Sequence, residues 1–274
     1  MTEIPAYWQN YIDGAWTDGG AGRLQVDDPG TGAPLAEQAV ADAGDVDRAV
    51  QAAKRCHESG ALSDMRPIER GRIVQAMADY FRANADRIAP VLTREQGKPL
   101  WEARIEVEGT AKYFEYYGNQ AATVEGRSIP LGAGYFDFTA LEPYGVSAQI
   151  IPWNYPLEVA ARSIAAALAT GNAVVVKTPE LDPLTSRHFA LAAEAAGLPK
   201  GALNLICGHG HEAGAALTRV TSCSVPCTTP ADNCPEFSSG MTCWSSTIRA
   251  SAFVMTCVSP RPTSMRTLRS LSEG

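Results

Sequence analysis

Asn154 stands in the run Ile151-Pro152-Trp153-Asn154-Tyr155-Pro156, directly after a short apolar stretch. Its side-chain amide offers N–H, the donor type that stabilises a developing oxyanion. A two-proline turn with Asn in a tolerated backbone conformation accounts for the same residues without chemistry. Further on, Lys177-Thr178-Pro179-Glu180 follows a β-branched run. Lys177 as donor and Glu180 as two-oxygen acceptor suit the vicinal hydroxyls of a ribose. An acid so placed favours NAD over NADP. A solvated turn pair that helps start the next helix is the competing explanation. The third motif, Gly208-His209-Gly210-His211-Glu212-Ala213-Gly214, has the spacing GxGxxxG, not the GxGxxG of a dinucleotide fingerprint. Glycines there also serve tight turns and close helix packing.

Each motif follows a candidate strand. Residues 145–151 read as a strand, 157–170 as an Ala-rich helix and 173–177 as a buried strand. Asp182-Pro183 supplies an N-cap and first-turn proline for a helix ending at Gly197. A third strand at 203–207 and a helix at 212–219 complete the alternation. Three βα units in succession predict an α/β fold with a Rossmann-like parallel sheet covered by helices. Ligands bind such sheets at the carboxyl ends of the strands, where all three motifs lie. A sheet that stops there is expected to leave an open edge.

Upstream, residues 7–16 predict a strand or short hairpin turning at Asp13-Gly14, and residues 27–32 form a turn-rich connection. Helices are expected over 46–59 and 68–94, the second with Pro67 in its first turn, a bend near Pro90 and a stop at Gly97. Another spans 101–121 with Ile105, Tyr113, Phe114 and Tyr117 facing inward. A β-type stretch then turns at Gly132-Ala133-Gly134.

The chain of 274 residues has 30 acidic against 23 basic side chains, a balance that argues against nucleic acid or an anionic membrane as main partner. No apolar run reaches the roughly 18 residues of a membrane span. The N-terminus lacks the basic-then-apolar order of a secretory signal, so a cytoplasmic protein is expected. Only Cys56 and Cys207 fall before residue 221, whereas Cys223, Cys227, Cys234, Cys243 and Cys257 crowd the remainder. That remainder is rich in Ser and Thr, has no Lys, and is broken by prolines at 226, 230, 235, 260 and 262. Two segments are therefore expected: a domain over 1–220 and an irregular or disordered tail over 221–274. The tail has neither a CxxC pair nor a His, so no metal site is expected.

Taken together, the motifs resemble the aldehyde dehydrogenase superfamily in order and spacing over residues 5–219. The match runs through Tyr11-Ile-Asp-Gly-Ala-Trp, Glu95-Gln-Gly-Lys-Pro, Glu142-Pro-Tyr-Gly-Val, Ile151-Pro-Trp-Asn-Tyr-Pro, Ala167-Leu-Ala-Thr-Gly-Asn-Ala, Lys177-Thr-Pro-Glu, Pro183-Leu-Thr, Ala196-Gly-Leu-Pro-Lys-Gly and the 208–214 loop. The resemblance implies oxidation of an aldehyde to a carboxylic acid with NAD, NADP being second choice, through a Cys thiohemiacetal and a thioester. It assigns Asn154 to the oxyanion hole and Lys177, Thr178, Pro179 and Glu180 to the adenosine side of the cofactor. Ile151, Pro152 and Trp153 would line the cofactor groove, and Gly210 and Gly214 the helix near the adenine. Residues 124–142 resemble the family's oligomerisation arm, half of whose interface this chain would lack.

After residue 219 the resemblance stops. None of the family's later motifs follows: neither Phe-Thr-Gly-Ser, Glu-Leu-Gly-Gly with the general base, Gly-Gln-x-Cys with the nucleophile, nor Glu-x-Phe-Gly-Pro. Phe237-Ser-Ser-Gly-Met-Thr-Cys243 echoes the nucleophile motif too close to Asn154 and without a preceding base. The expectation is an inactive N-terminal fragment whose tail derives from a shifted reading frame. The alternative is a non-catalytic nucleotide-binding or interaction module with a functional tail.

Overall fold

A computed structural model describes residues 4–135 and 137–222. β1 (Tyr7–Trp8) precedes a hairpin of β2 (Asn10–Ile12) and β3 (Ala15–Thr17). Asp13 and Gly14 turn it with φ of 55° and 76°, the left-handed pair that Asp-Gly sequences favour. The connection at 27–32 is itself a hairpin turn, joining β4 (Arg23–Asp28) to β5 (Ala33–Ala39). Its strands escape the sequence pattern because β4 is largely exposed and lacks a clean apolar alternation.

α1 (Ala43–Glu58) starts on a capping box between Asp42 and Asp45. α2 (Pro67–Ala83) and α3 (Ala85–Gln96) replace the single helix expected to bend near Pro90. The break is at Asn84, whose side-chain amide donates to the Tyr80 carbonyl at 2.8 Å beside its own backbone N–H at 3.1 Å. Pro90 lies inside α3, and Gly97 ends it at φ 86° as expected. α4 (Leu100–Gln120) buries Ala103, Glu106, Val107, Thr110, Ala111 and Phe114. Ile105, expected inside, is 61% exposed because the buried stripe of α4 falls on the opposite face. Tyr113 and Tyr117 are partly buried. β6 (Ser128–Ile129) and β7 (Asp137–Phe138) pair antiparallel as a small hairpin of their own, with Gly132 and Gly134 at positive φ between them.

The expected alternation follows: β8 (Val146–Ile150), α5 (Pro156–Ala169), β9 (Ala173–Thr178), α6 (Arg187–Ala196) and β10 (Leu203–Cys207). A π-type turn at Gly210–Gly214 leads into α7 (Ala215–Ser222). The rest of the expected tail, residues 223–274 with Cys243, lies outside the described residues. The main sheet has the order β3-β2-β10-β9-β8, with β10, β9 and β8 parallel. Among the described residues β8 is left as an edge strand of this sheet, as expected, whereas β10 is covered on its far side by β2, which pairs with it antiparallel, Leu205 opposite Tyr11. Phe81, Phe114 and Phe189 meet at ring distances of 5.2–6.1 Å where α2, α4 and α6 pack.

α5 is fixed at both ends by buried charge. At its start, a Glu106 carboxylate oxygen accepts from the backbone N–H of Leu157 (2.9 Å) and Glu158 (3.4 Å). At its end, the Arg70 guanidinium donates to the Ala169 carbonyl at 2.8 Å, and to those of Leu62 and Met65. Both charges have the sign that the helix dipole favours. Glu106 is ion-paired with Lys98, the two side chains 0% and 5% exposed.

Asp182 does not cap α6 as expected. α6 begins at Arg187, and Glu95 of α3 caps the preceding turn, taking the N–H of Leu184 (2.6 Å) and Thr185 (2.9 Å). Asp182 is buried, and neither of its carboxylate oxygens has a hydrogen-bond partner among the described residues. Burial, reinforced by the nearby Glu95 and Glu106 carboxylates, pushes its carboxyl far above the usual range.

Two expectations follow from these buried charges. Glu106→Ala or Lys98→Met strands one ion in the core and should cost about 3–5 kcal/mol in urea unfolding, while Lys98→Met/Glu106→Leu should recover part of the loss. Single-variant losses under about 1 kcal/mol would contradict the description. For Asp182, a folded pKa above the unfolded value means the folded state holds the proton more tightly, so stability falls as pH rises beyond the unfolded pKa. Asp182→Asn should therefore raise Tm, and by more at pH 9 than at pH 5. A gain that shrinks with rising pH would refute this.

Candidate functional site

The three sequence motifs leave the same end of the parallel sheet. Ile150 pairs with Lys177 and Thr178 with Cys207, so the loops beginning at 151, 179 and 208 emerge side by side. The Ile151 N–H still donates to the Lys177 carbonyl at 3.0 Å, which ties the first loop to the second. Gly214 returns over the first strand, where a Cβ would lie 3.7 Å from Ile150 Cδ1. This is the crevice in which open α/β sheets hold ligands.

Lys177 is 3% exposed at its side chain and ion-pairs with the half-exposed Glu180. Burial alone would raise the Glu180 carboxyl, but the Lys177 partnership outweighs it and holds the group below its ordinary value. A fixed cation beside a fixed anion, one donor-rich and one acceptor-only, matches the vicinal hydroxyls of a ribose. Thr178 and Pro179 are buried, Thr178 donating to the Ile206 carbonyl at 3.4 Å, so they anchor this pair rather than contact solvent.

In the glycine loop, the tight position is Gly208, where a Cβ would stand 2.8 Å from that of Ala213. A methyl group at Gly210 would meet nothing within 4 Å, so the bare backbone there is open to an approaching ligand. Gly214 is buried with ordinary clearance, and serves helix packing. The donor set and the open backbone fit a nucleotide.

Around Asn154, Ile151 is buried, Pro152 half-buried and Trp153 54% exposed. The Asn154 side-chain amide is exposed and makes no hydrogen bond among the described residues, so its N–H groups are free to donate. Its backbone is not free. The Asn154 carbonyl accepts from Gln96 Nε2 at 3.0 Å and Lys98 Nζ at 3.3 Å, and Gln96 also reaches the Trp153 carbonyl at 3.4 Å. Tyr155 is clamped by Lys98, 4.2 Å from its ring centroid, and by Glu102, which accepts from its hydroxyl at 2.7 Å. A cleft of about 270 Å³ opens beside this loop, lined by Tyr113, Tyr155, Glu158, Val159 and Arg162.

Gln96, Lys98 and Glu106 have no assigned role in the sequence motifs, although they set the backbone of the Asn154 loop. The available signal was an acid, Glu106, on the apolar stripe of a helix that needed a buried partner. The described cysteines, Cys56 and Cys207, are both free and buried. Burial pushes the Cys207 thiol up to about 12, and that of Cys56 upward as well. Burial of this kind disfavours the thiolate form. Among the described residues no cluster of three or more His, Cys, Asp or Glu is arranged to hold a metal ion, and no helix is long and apolar enough to cross a membrane.

The aldehyde dehydrogenase family model matches residues 16–226. The chain is 38% identical over 214 residues to human retinal dehydrogenase 2, covering 77% of this chain and 41% of that protein. It is 40% identical over 208 residues to hydroxyisobutyraldehyde dehydrogenase of Mycolicibacterium austroafricanum, covering 76% and 41%. Among solved structures, PnpE of Pseudomonas sp. WBC-3, crystallised in complex with nicotinamide adenine dinucleotide, is similar with a TM-score of 0.74 and 39% identity, covering 77% of this chain and 43% of that one. Betaine aldehyde dehydrogenase of Staphylococcus aureus, solved with NAD+, gives 0.75 and 34% over 78% and 44%. The chain thus spans about two fifths of the length of the curated relatives it matches. On the family match over most of its length, supported by these relatives, the chain belongs to the aldehyde dehydrogenase family.

Proposed function

We propose that residues 4–222 are the nucleotide-binding part of an NAD-dependent aldehyde dehydrogenase, oxidising an aldehyde to a carboxylic acid. The observation that carries the proposal is the buried Lys177 paired with Glu180 at the carboxyl end of β9, beside the bare backbone of Gly210. Lys177 and Glu180 would hold the adenosine ribose, and the chain from Ile151 to Trp153 would line the groove. The bound nicotinamide supplies the hydride acceptor. Asn154 would donate from its amide to the aldehyde oxygen as negative charge develops there. The adjoining cleft would receive the aldehyde's substituent.

Activity also needs a nucleophile and a general base. Cys56 and Cys207 are buried thiols, and no residue of this chain matches the family's Cys or Glu motifs. The proposal therefore separates two capacities: the 274-residue chain binds nucleotide and does not by itself oxidise aldehydes. Residues 124–142 would correspond to the family's oligomerisation arm, of whose interface this chain carries half.

Titration calorimetry should show tighter binding of NAD than of NADP, because the Glu180 carboxylate accepts from ribose hydroxyls and repels a 2′-phosphate. Glu180→Gln should narrow that gap. Incubation with NAD and aliphatic or aromatic aldehydes should give no NADH above background. A preference for NADP in the native chain would overturn the ribose assignment. NADH formation that vanishes in Cys243→Ser would overturn the assignment of Cys243 as a chance likeness.

A further inference from the structure

His209 and His211 have no part in the function proposed above, yet they stand at the mouth of its nucleotide site. β9 and β10 pair with Thr178 opposite Cys207, so two residues beyond each strand end lie Glu180 and His209. Cys207 Sγ, 4.0 Å from the Pro179 carbonyl, holds the two loop starts together. The His209 and His211 rings stack at 5.6 Å with 22° between their planes, and both side chains are exposed. Gly210, between them, leaves open space.

The charges around the pair are few. Lys177 is committed to Glu180, and His211 Nε2 lies 3.6 Å from a Glu212 carboxylate oxygen. Val40 and Ala41, packed under Gly208, lead into Asp42, whose carboxylate accepts from the Asp45 N–H at the start of α1. Arg219 is exposed at the far end of α7. The field of a protonated His209 reaches Glu180 and favours its ionised form. Among the described residues, positive charge at the mouth of this loop would therefore come from the two imidazoles, that of His211 being shared with Glu212.

We propose that the His209–His211 pair is a second determinant of nucleotide choice, an anion-accepting element that offsets Glu180 and admits a 2′-phosphorylated adenosine when the imidazoles carry protons. The proposal rests on the placement of the adenosine ribose at Lys177 and Glu180. Glu180 disfavours the phosphate at every pH in which it stays ionised. The stacked, exposed rings, joined through Gly210, each carry two N–H donors when protonated.

Calorimetric Kd values for NAD and NADP, at pH 8.0 and pH 5.8, on the full chain and on His209→Gln/His211→Gln, test this. The 2′-phosphate itself gains a proton near pH 6, as phosphates do, so the NADP-to-NAD Kd ratio should fall on acidification in both proteins. In the native chain it should fall about three- to tenfold further, the scale of two partly screened charge contacts. Equal Tm values of the two proteins at each pH establish that the variant is folded. NAD binding with the same fall in ratio for both would overturn this inference alone. No binding of either nucleotide at either pH would remove the cofactor proposal together with it.

Discussion

The buried carboxylate of Glu106 is the interaction on which the site depends. It joins three elements: α4, which carries it, the Lys98 ammonium just before α4, and the first backbone amides of α5. Lys98 in turn donates to the Asn154 carbonyl, so the loop bearing the free amide hangs from the same ion pair. With Arg70 on the opposite end of α5, the helix cannot slide along its axis without stranding a charge in the core. The Asn154 loop is thereby part of a rigid helix pair, which suits a donor that must be in place before charge develops.

The nucleotide half of the site is built differently. Its polar groups sit on strand ends, where parallel pairing of β8, β9 and β10 brings three loops into line, with Thr178 and Cys207 linking the ends of β9 and β10. Lys177 is buried and spends its charge on Glu180, so the pair is a dipole fixed in place rather than two solvated ions. The two described thiols, Cys56 and Cys207, are buried in the core, and burial pushes both above the ordinary thiol range.

Much of this was legible in the sequence because period and chemistry agreed. The β-branched run before Lys177 forms a strand, and Gly97, Gly197 and the Asp13-Gly14 turn take the left-handed backbone that glycine tolerates and most residues avoid. What escaped was set by distant partners. The pairing of β2 with β10 joins residues nearly two hundred positions apart, and three-residue strands have no periodicity to read. Asp182 has the look of a cap because Asp-Pro caps helices, but Glu95 reaches the amides first from another helix. Ile105 reads as apolar core by type alone, and only the packing of α4 on its neighbours shows which stripe is buried. Lys98 and Glu106 are plain in the motif and on the helix, but no local rule links residues on either side of a helix start into a buried pair.

The most direct test of this account is a crystal structure of the chain with NAD. The adenosine ribose hydroxyls should lie within hydrogen-bonding distance of Lys177 Nζ and the Glu180 carboxylate, with Lys98 still bridging Glu106 and the Asn154 carbonyl. Nucleotide density elsewhere on the surface, with the Lys177–Glu180 pair left facing solvent, would contradict it.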